Sequence, residues 1–325
     1  MSNEHLILGD LSADYFLANY WQKKPLVIRN AIPDFVSPVD GNDLAAMSLE
    51  PEVESRLIIG DDYQLEHGPF DETRFQELPE DNWTLLVQAV DLWVPEVAKL
   101  RDYFNFLPSW RIDDIMISYA EDGGNVGPHK DNYDVFLLQG PGSRRWQICE
   151  SDIGEATLKS ATSLKILDQF FATDEWVLNP GDMLYLPPKT AHHGVAIGEC
   201  TTFSIGFRAP TSIEMLDDLA TELLSRDLLP EHLSDPPLTS RGFAQPISKE
   251  YIHQIKVMLL NLLEDDQMLG EWFARFMTRP KYPALVEMTE ERREAILQNE
   301  SGQGSPPSYT PVSYTHLTLP TTPYV

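Results

Sequence analysis

Gly127-Pro128-His129-Lys130-Asp131 and, far downstream, Pro180-Gly181-Asp182-Met183-Leu184-Tyr185-Leu186-Pro187-Pro188-Lys189-Thr190-Ala191-His192 decide the fold between them. His129 and Asp131 are two residues apart. A β-strand puts such a pair on one face and sends Lys130 to the other. An imidazole and a carboxylate on one face make two thirds of a metal site, and His192 supplies the rest. Two His and one Asp that leave one side of the metal open form the facial triad of non-haem Fe(II) oxygenases.

An isolated H-x-D is a weak signal, and here its surroundings strengthen it. The pair precedes the apolar run Val135-Phe136-Leu137-Leu138, at the mouth of a barrel strand. His192 closes P-G-D-x-x-x-x-P-x-x-x-x-H, the second half-motif of double-stranded β-helix, cupin-type proteins. Gly181 makes the turn, Asp182 starts a strand and Pro187 ends it near the metal. His193 is the competing ligand, but adjacent strand residues point oppositely, and the spacing from Pro187 selects His192. His67 has no partner at ligand spacing and reads as a loop histidine.

Arg144 and Arg145 are neighbours, so a strand turns one inward and the other to solvent. A guanidinium inside a barrel needs an anion. A dicarboxylate co-substrate provides one, gripped by paired hydrogen bonds at its far end. Arg144 lies on the strand after the first two ligands. Ser118 shares a strand face with Asp114 and Met116 and could donate to the same carboxylate; an ordinary local hydrogen bond is the plainer reading.

Moving outward, residues 110–207 read as short strands: 112–119, 135–139, 144–150, 175–178, 182–186, 193–196 and 201–207. Gly- and Pro-rich turns separate them, which indicates a sandwich or barrel. Upstream, Ser12 opens a short helix, 25–28 is a strand, 43–47 is a helix, and Gly60-Asp61-Asp62 turns a hairpin. Residues 83–100 carry apolar side chains at a helical period, kinked or split by Pro95. Downstream, 212–226 is a helix with Ser212 as its N-cap. Residues 249–263, with Ile252, Ile255, Met258, Leu259 and Leu262, and 268–277 complete a three-helix module packed on itself or on a second subunit.

The chain has 325 residues and a net charge of -27, and 42% of it is hydrophobic. A core is affordable, and nucleic acid would be repelled. Such a surface suits a basic partner, or serves solubility alone. The two cysteines, Cys149 and Cys200, form no C-x-x-C pair, which with no signal peptide points to the reducing cytoplasm. No apolar stretch approaches the roughly 20 residues of a membrane helix.

Several stretches together are specific to one family: Leu65-Glu66-His67-Gly68-Pro69-Phe70, Asn82-Trp83-Thr84-Leu85-Leu86-Val87-Gln88-Ala89-Val90, Trp110-Arg111-Ile112-Asp113-Asp114, Val126 through Phe136, Arg144-Arg145-Trp146 and Ser204-Ile205-Gly206-Phe207-Arg208-Ala209-Pro210. Through them the chain resembles the bacterial JmjC-type ribosomal oxygenases, 2-oxoglutarate-dependent enzymes that hydroxylate an arginine of a large-subunit ribosomal protein. The resemblance implies a mainly β double-stranded β-helix (a JmjC/cupin-type barrel) with flanking helices, an α-helical dimerisation region and a C-terminal winged-helix-like part that is truncated here. It implies Fe(II) on His129, Asp131 and His192, 2-oxoglutarate on Arg144 and Ser118, and O2 as oxidant. It also implies a basic ribosomal protein as substrate and a homodimer. Lys130 departs from the apolar residue often found at that position.

The expected division is 1–90 as an α/β extension supporting the barrel, 91–210 as the barrel, 211–280 as the dimerisation helices, and 281–308 as the start of the truncated domain. Residues 309–325 resemble translated sequencing-adapter read-through and are set aside as non-native. The other readings are a cupin-type metalloenzyme that does not use 2-oxoglutarate, and a non-catalytic barrel that binds a basic partner.

Overall fold

The computed structural model describes residues 7–149, 158–159, 164–226, 232–237 and 246–282, and among these residues two sheets are formed by twelve strands. They are β1 Leu26–Ile28, β2 Ser55–Ile59, β3 Gln64–His67, β4 Trp83–Val87, β5 Ile112–Ala120, β6 His129–Lys130, β7 Val135–Gln139, β8 Ser143–Cys149, β9 Asp174–Leu178, β10 Met183–Leu186, β11 Ala191–Ile197 and β12 Cys200–Phe207. The larger sheet has the order β1-β10-β7-β12-β5-β4-β2-β3, and the smaller one β6-β11-β8-β9. All pairings are antiparallel. Because β1 pairs with β10 and β4 with β5, residues before 91 extend the same sheet that carries the barrel.

Strand alternation divides the core into two layers. On β7, Phe136 and Leu138 face outward into a cluster with Phe16, Phe104, Tyr185, Phe203 and Phe207. Val135 and Leu137 face inward, between the sheets, with Trp146, Ile148 and Leu178. The outer layer is aromatic and closely packed, with Phe104 and Phe136 ring centroids 4.9 Å apart and Phe16 edge-on to Tyr185 at 5.0 Å. Truncating a ring such as Phe136 should cost about 3–5 kcal/mol.

Four short helices flank this sheet: α1 Ala13–Asn19, α2 Gly41–Met47, α3 Glu72–Gln76 and α4 Pro95–Ala98. Ser12 accepts the Tyr15 N–H as N-cap of α1, and Asp40 and Asp43 form a reciprocal capping box on α2. The helix expected over 83–100 is instead β4, a 3-10 turn at Val90–Leu92, and α4. Thr84-Leu85-Leu86-Val87 is buried on both strand faces. A strand covered on both sides reads as a continuous apolar run, which periodicity cannot distinguish from a buried helix. Ala89, at φ 52°, ends the extended run, and Pro95 occupies the first turn of α4, where its missing N–H costs nothing.

The described residues divide into two compact units, 7–209 with 280–282, and 210–279. The second unit is helical: α5 Ser212–Ser225, α6 Lys249–Asn261 and α7 Asp266–Thr278. Thr211, not Ser212, caps α5, in a capping box with Glu214. Leu219 on α5 packs with Met268 and Trp272 on α7, and the Trp272 indole donates to Asp218 at 2.9 Å. The expected mutual packing of three helices is therefore found for two of them. α6 buries no residue and leaves Ile252, Ile255, Leu259 and Leu262 exposed. Among the described residues no helix is long and apolar enough to cross a membrane. The expected winged-helix start (281–308), beyond Tyr282, and the tail at 309–325 lie outside the described residues.

Candidate metal centre and co-substrate site

Register places the two histidines. β6 is only two residues long, and His129 pairs directly with His192 on β11. Cross-strand partners share a face, and the two rings lie 4.3 Å apart, centroid to centroid. β11 begins at Ala191, two residues earlier than expected, so His192 sits within the strand rather than before it. Asp131 follows β6 directly, and its carbonyl accepts the Lys189 N–H at 2.6 Å, tying the two ligand-bearing segments together. The next turn is held by Asp134, fully buried, which accepts from the Tyr185 hydroxyl at 2.7 Å and Gln22 Nε2 at 3.0 Å.

Asp131 Oδ2 lies 4.0 Å from His129 Nε2 and 3.7 Å from His192 Nε2. The candidate ligand atoms of the three residues all fall within 4.8 Å of one another. Each histidine turns Nδ1 toward a carbonyl two residues upstream, His129 to Gly127 at 2.9 Å and His192 to Thr190 at 3.0 Å. A ring that donates from Nδ1 keeps its lone pair on Nε2, the atom facing the other two ligands. Burial, reinforced by His129, pulls His192 down to about 4, so its ring is neutral at pH 7. The donor set fits a divalent metal bound from one side.

Arg144, four pairs along the β8–β11 ladder from His192, is 4% exposed, while Arg145 is exposed. The Arg144 guanidinium donates to Ser118 Oγ on β5 at 3.4 Å, Thr202 Oγ1 on β12 at 3.5 Å and the Gly124 carbonyl at 3.4 Å. Its Nε has no acceptor among the described residues. No ion pair to Arg144 occurs among the described residues, and burial pushes the guanidinium down from its usual range. A charge buried this far without a counterion is strongly disfavoured, so the pocket fits an anion. Thr202 was not singled out from sequence; its alternation with Ser204 and Gly206 along β12 was the available signal.

One cavity of about 440 Å³ joins the triad, Arg144 and Ser118. The inward face of β5 carries Asp114, Met116 and Ser118 in line, with Asp114 5% exposed. An Asp91 oxygen that accepts the Ile115 N–H at 2.8 Å, with Arg101 beside it, anchors this strand. Lys130, expected to face away, also borders the cavity. His67 ends β3 rather than lying in a loop.

Two antiparallel sheets, with three candidate ligands and a buried cation lining one cavity, match the JmjC- and cupin-type double-stranded β-helix. A JmjC domain family model matches residues 99–215. The chain is 38% identical over 269 residues to the ribosomal protein uL16 3-hydroxylase of Escherichia coli, covering 82% of this chain and 71% of that protein. It is 38% identical over 309 residues to a probable ribosomal oxygenase of Haemophilus influenzae, covering 90% and 76%. The solved structure of YcfD, a ribosomal oxygenase from Escherichia coli, superposes with a TM-score of 0.75 at 37% identity, over 84% of this chain and 72% of that one. YcfD in complex with cobalt and 2-oxoglutarate gives 0.74 at 36%, over 89% and 78%. This chain belongs to the JmjC ribosomal oxygenase family.

Proposed function

We propose that the chain is an Fe(II)- and 2-oxoglutarate-dependent hydroxylase of an arginine side chain in a large-subunit ribosomal protein, uL16. The observation that carries this is Arg144, a buried cation without a carboxylate partner among the described residues, in the same cavity as three convergent ligands. When bound, Fe(II), 2-oxoglutarate and O2 together supply oxidative decarboxylation to succinate and CO2 and the transfer of one oxygen atom to a C–H bond. His129, Asp131 and His192 would hold the metal. Arg144 would grip the distal carboxylate. Ser118 and Thr202 accept from Arg144, which leaves their hydroxyl protons to donate to the same carboxylate. The apolar walls at Val135 and Leu137 exclude water.

Asp114 is four residues from Ser118 on β5, about 13 Å at ~3.3 Å per residue. It stands at the far end of the cavity from Arg144, where the substrate's guanidinium would find a buried carboxylate. Succinate formation tests the function. The expected result is turnover that requires 2-oxoglutarate and rises when uL16 is added. No succinate from the metal-loaded protein with 2-oxoglutarate and uL16 present would overturn this reading in favour of a cupin metalloenzyme that does not use 2-oxoglutarate or a binding barrel.

The charge of -27 fits a substrate met before ribosome assembly, as a free basic chain in the cytoplasm. Ribosomal RNA would repel this enzyme, and it is not expected to bind nucleic acid. Steering by opposite charge raises association rates by roughly 10–1000-fold and fades as salt shortens the Debye length from about 10 Å at 0.1 M to about 3 Å at 1 M. Isolated uL16 should therefore be a better substrate than the intact large subunit, with kcat/KM falling as salt is added. Rates indifferent to ionic strength would leave the acidic surface a solubility feature only.

The exposed apolar stripe of α6 supports a homodimer through the helical unit. Ile255→Asp with Leu259→Asp should yield a monomer by light scattering with the barrel still folded. A folded double variant that stays dimeric would place the interface elsewhere.

A further inference from the structure

Asp114 is not empty-handed in the free protein. Its Oδ2 accepts from Gln88 Nε2 at 2.8 Å and from Lys281 Nζ at 2.8 Å. The same ammonium reaches Asp113 Oδ2 at 3.1 Å, while Arg208 Nε pairs with Asp113 Oδ1 at 3.1 Å. Two carboxylates thus face two cations, and the cluster is balanced. Asp114 Oδ1 lies instead on the side of Gly206, whose space a Cβ would fill at 3.8 Å from that oxygen and 4.0 Å from the Tyr133 ring.

Lys281 comes from no barrel strand. It belongs to Pro280-Lys281-Tyr282, seated on the barrel unit by Tyr282, whose hydroxyl donates to Glu54 Oε2 at 2.8 Å and whose ring packs on the main core. Both Lys281 and Asp114 line the cavity. The ammonium side chain is 36% exposed, so water is within its reach. Burial lowers its proton affinity, but Asp114 and Asp113 raise it by more, and Lys281 stays charged.

The charge count sets the consequence. A cationic substrate side chain that arrives with Lys281 in place meets a neutralised cluster, with Arg56 also in the cavity wall. With Lys281 withdrawn it meets a buried carboxylate short of one positive charge. We propose that Lys281 is a tethered stand-in for the substrate's cation, filling the Asp114 subsite in the free enzyme and giving way when the substrate's arginine enters. The exchange conserves charge. It also favours arginine over lysine as the incoming group, because a guanidinium makes paired bonds to a carboxylate and is less strongly hydrated than the ammonium it displaces. The proposal rests on Asp114 being the receptor for the substrate cation.

Calorimetric titration of uL16 into the full chain tests both parts, with thermal melts to show that each variant is folded. A subsite occupied part of the time lowers apparent affinity by the open fraction. Lys281→Gln should therefore tighten uL16 binding about three- to tenfold and lower its KM in parallel. Tyr282→Phe, which frees the strap from Glu54, should shift binding the same way by less. Lys281→Arg, with a stronger grip on the aspartates, should weaken it. Unchanged or weaker binding by Lys281→Gln would overturn the proposal and make Lys281 a support for Asp114. Asp114→Asn separates the two levels. If it weakens uL16 binding while Lys281→Gln does not tighten it, only the stand-in role fails. If Asp114→Asn leaves binding unchanged, the subsite reading fails and the proposal with it.

Discussion

Asp131→Ala is expected to abolish 2-oxoglutarate turnover while the barrel stays folded. Asp131 supplies the single carboxylate of the ligand set, 3.7 Å from His192 Nε2 and 4.0 Å from His129 Nε2. Without it two neutral imidazoles remain, and the site loses its only formal negative charge toward a dication. Loss of outer-shell partners of such ligands already weakens metal binding about 10–100-fold, so loss of a ligand should exceed that. The fold should survive because Asp131 is linked to β11 through its backbone carbonyl, which accepts from Lys189 whatever the side chain. Metal content per chain, melting temperature and succinate formation under limiting iron read the three parts separately. Turnover at the parent level would remove Asp131 from the metal site.

Arg144→Ala should raise the KM for 2-oxoglutarate about ten- to hundredfold, the size of one lost charge-assisted bond of roughly 1.5–3 kcal/mol. Arg145→Ala should leave it unchanged, because β8 turns Arg145 to solvent while Arg144 is buried. A second consequence follows from the electrostatics. In the free protein Arg144 is a buried charge with hydroxyl, carbonyl and Cys200 thiol partners and no carboxylate among the described residues. Replacing a buried ion pair or triad by well-packed apolar residues is often neutral or stabilises a fold by about 1–4 kcal/mol, and a buried charge with no counterion is costlier to keep. Arg144→Met should thus raise the melting temperature of the co-substrate-free enzyme while impairing co-substrate binding. Equal effects at Arg144 and Arg145 on KM, or a fall in melting temperature for Arg144→Met, would contradict the assignment.

The features that could be read in the sequence follow from short-range rules. The two-residue spacing of His129 and Asp131 pointed to one site, and the structure brings them together although β6 stops at Lys130, while Arg144 separates from Arg145 by strand alternation, a local property. His192 was reachable because Gly181 and Pro187 bracket a strand of fixed length. The features that escaped depend on pairing. β4 looks like part of a helix until its edges pair with β2 and β5 and packing buries both of its faces. Thr202 acquires meaning only when β12 is laid against β5 and its hydroxyl comes to flank Arg144 opposite Ser118. Lys281 lies 167 positions from Asp114 along the chain, and no periodicity links them. The capping of α5 shows a smaller limit: Thr211 and Ser212 are both good N-caps, and the choice is made by Glu214, whose carboxylate accepts the Thr211 N–H at 2.7 Å.

Tandem mass spectrometry of uL16 after incubation with the enzyme, Fe(II) and 2-oxoglutarate in air is the most direct test of the central claim. The account predicts the added mass of one oxygen atom on a single arginine, formed in step with succinate, absent when 2-oxoglutarate is withheld, and reduced at low 2-oxoglutarate when Arg144 is replaced by alanine. An unmodified uL16 alongside brisk succinate formation, or the oxygen on a residue other than arginine, would contradict it.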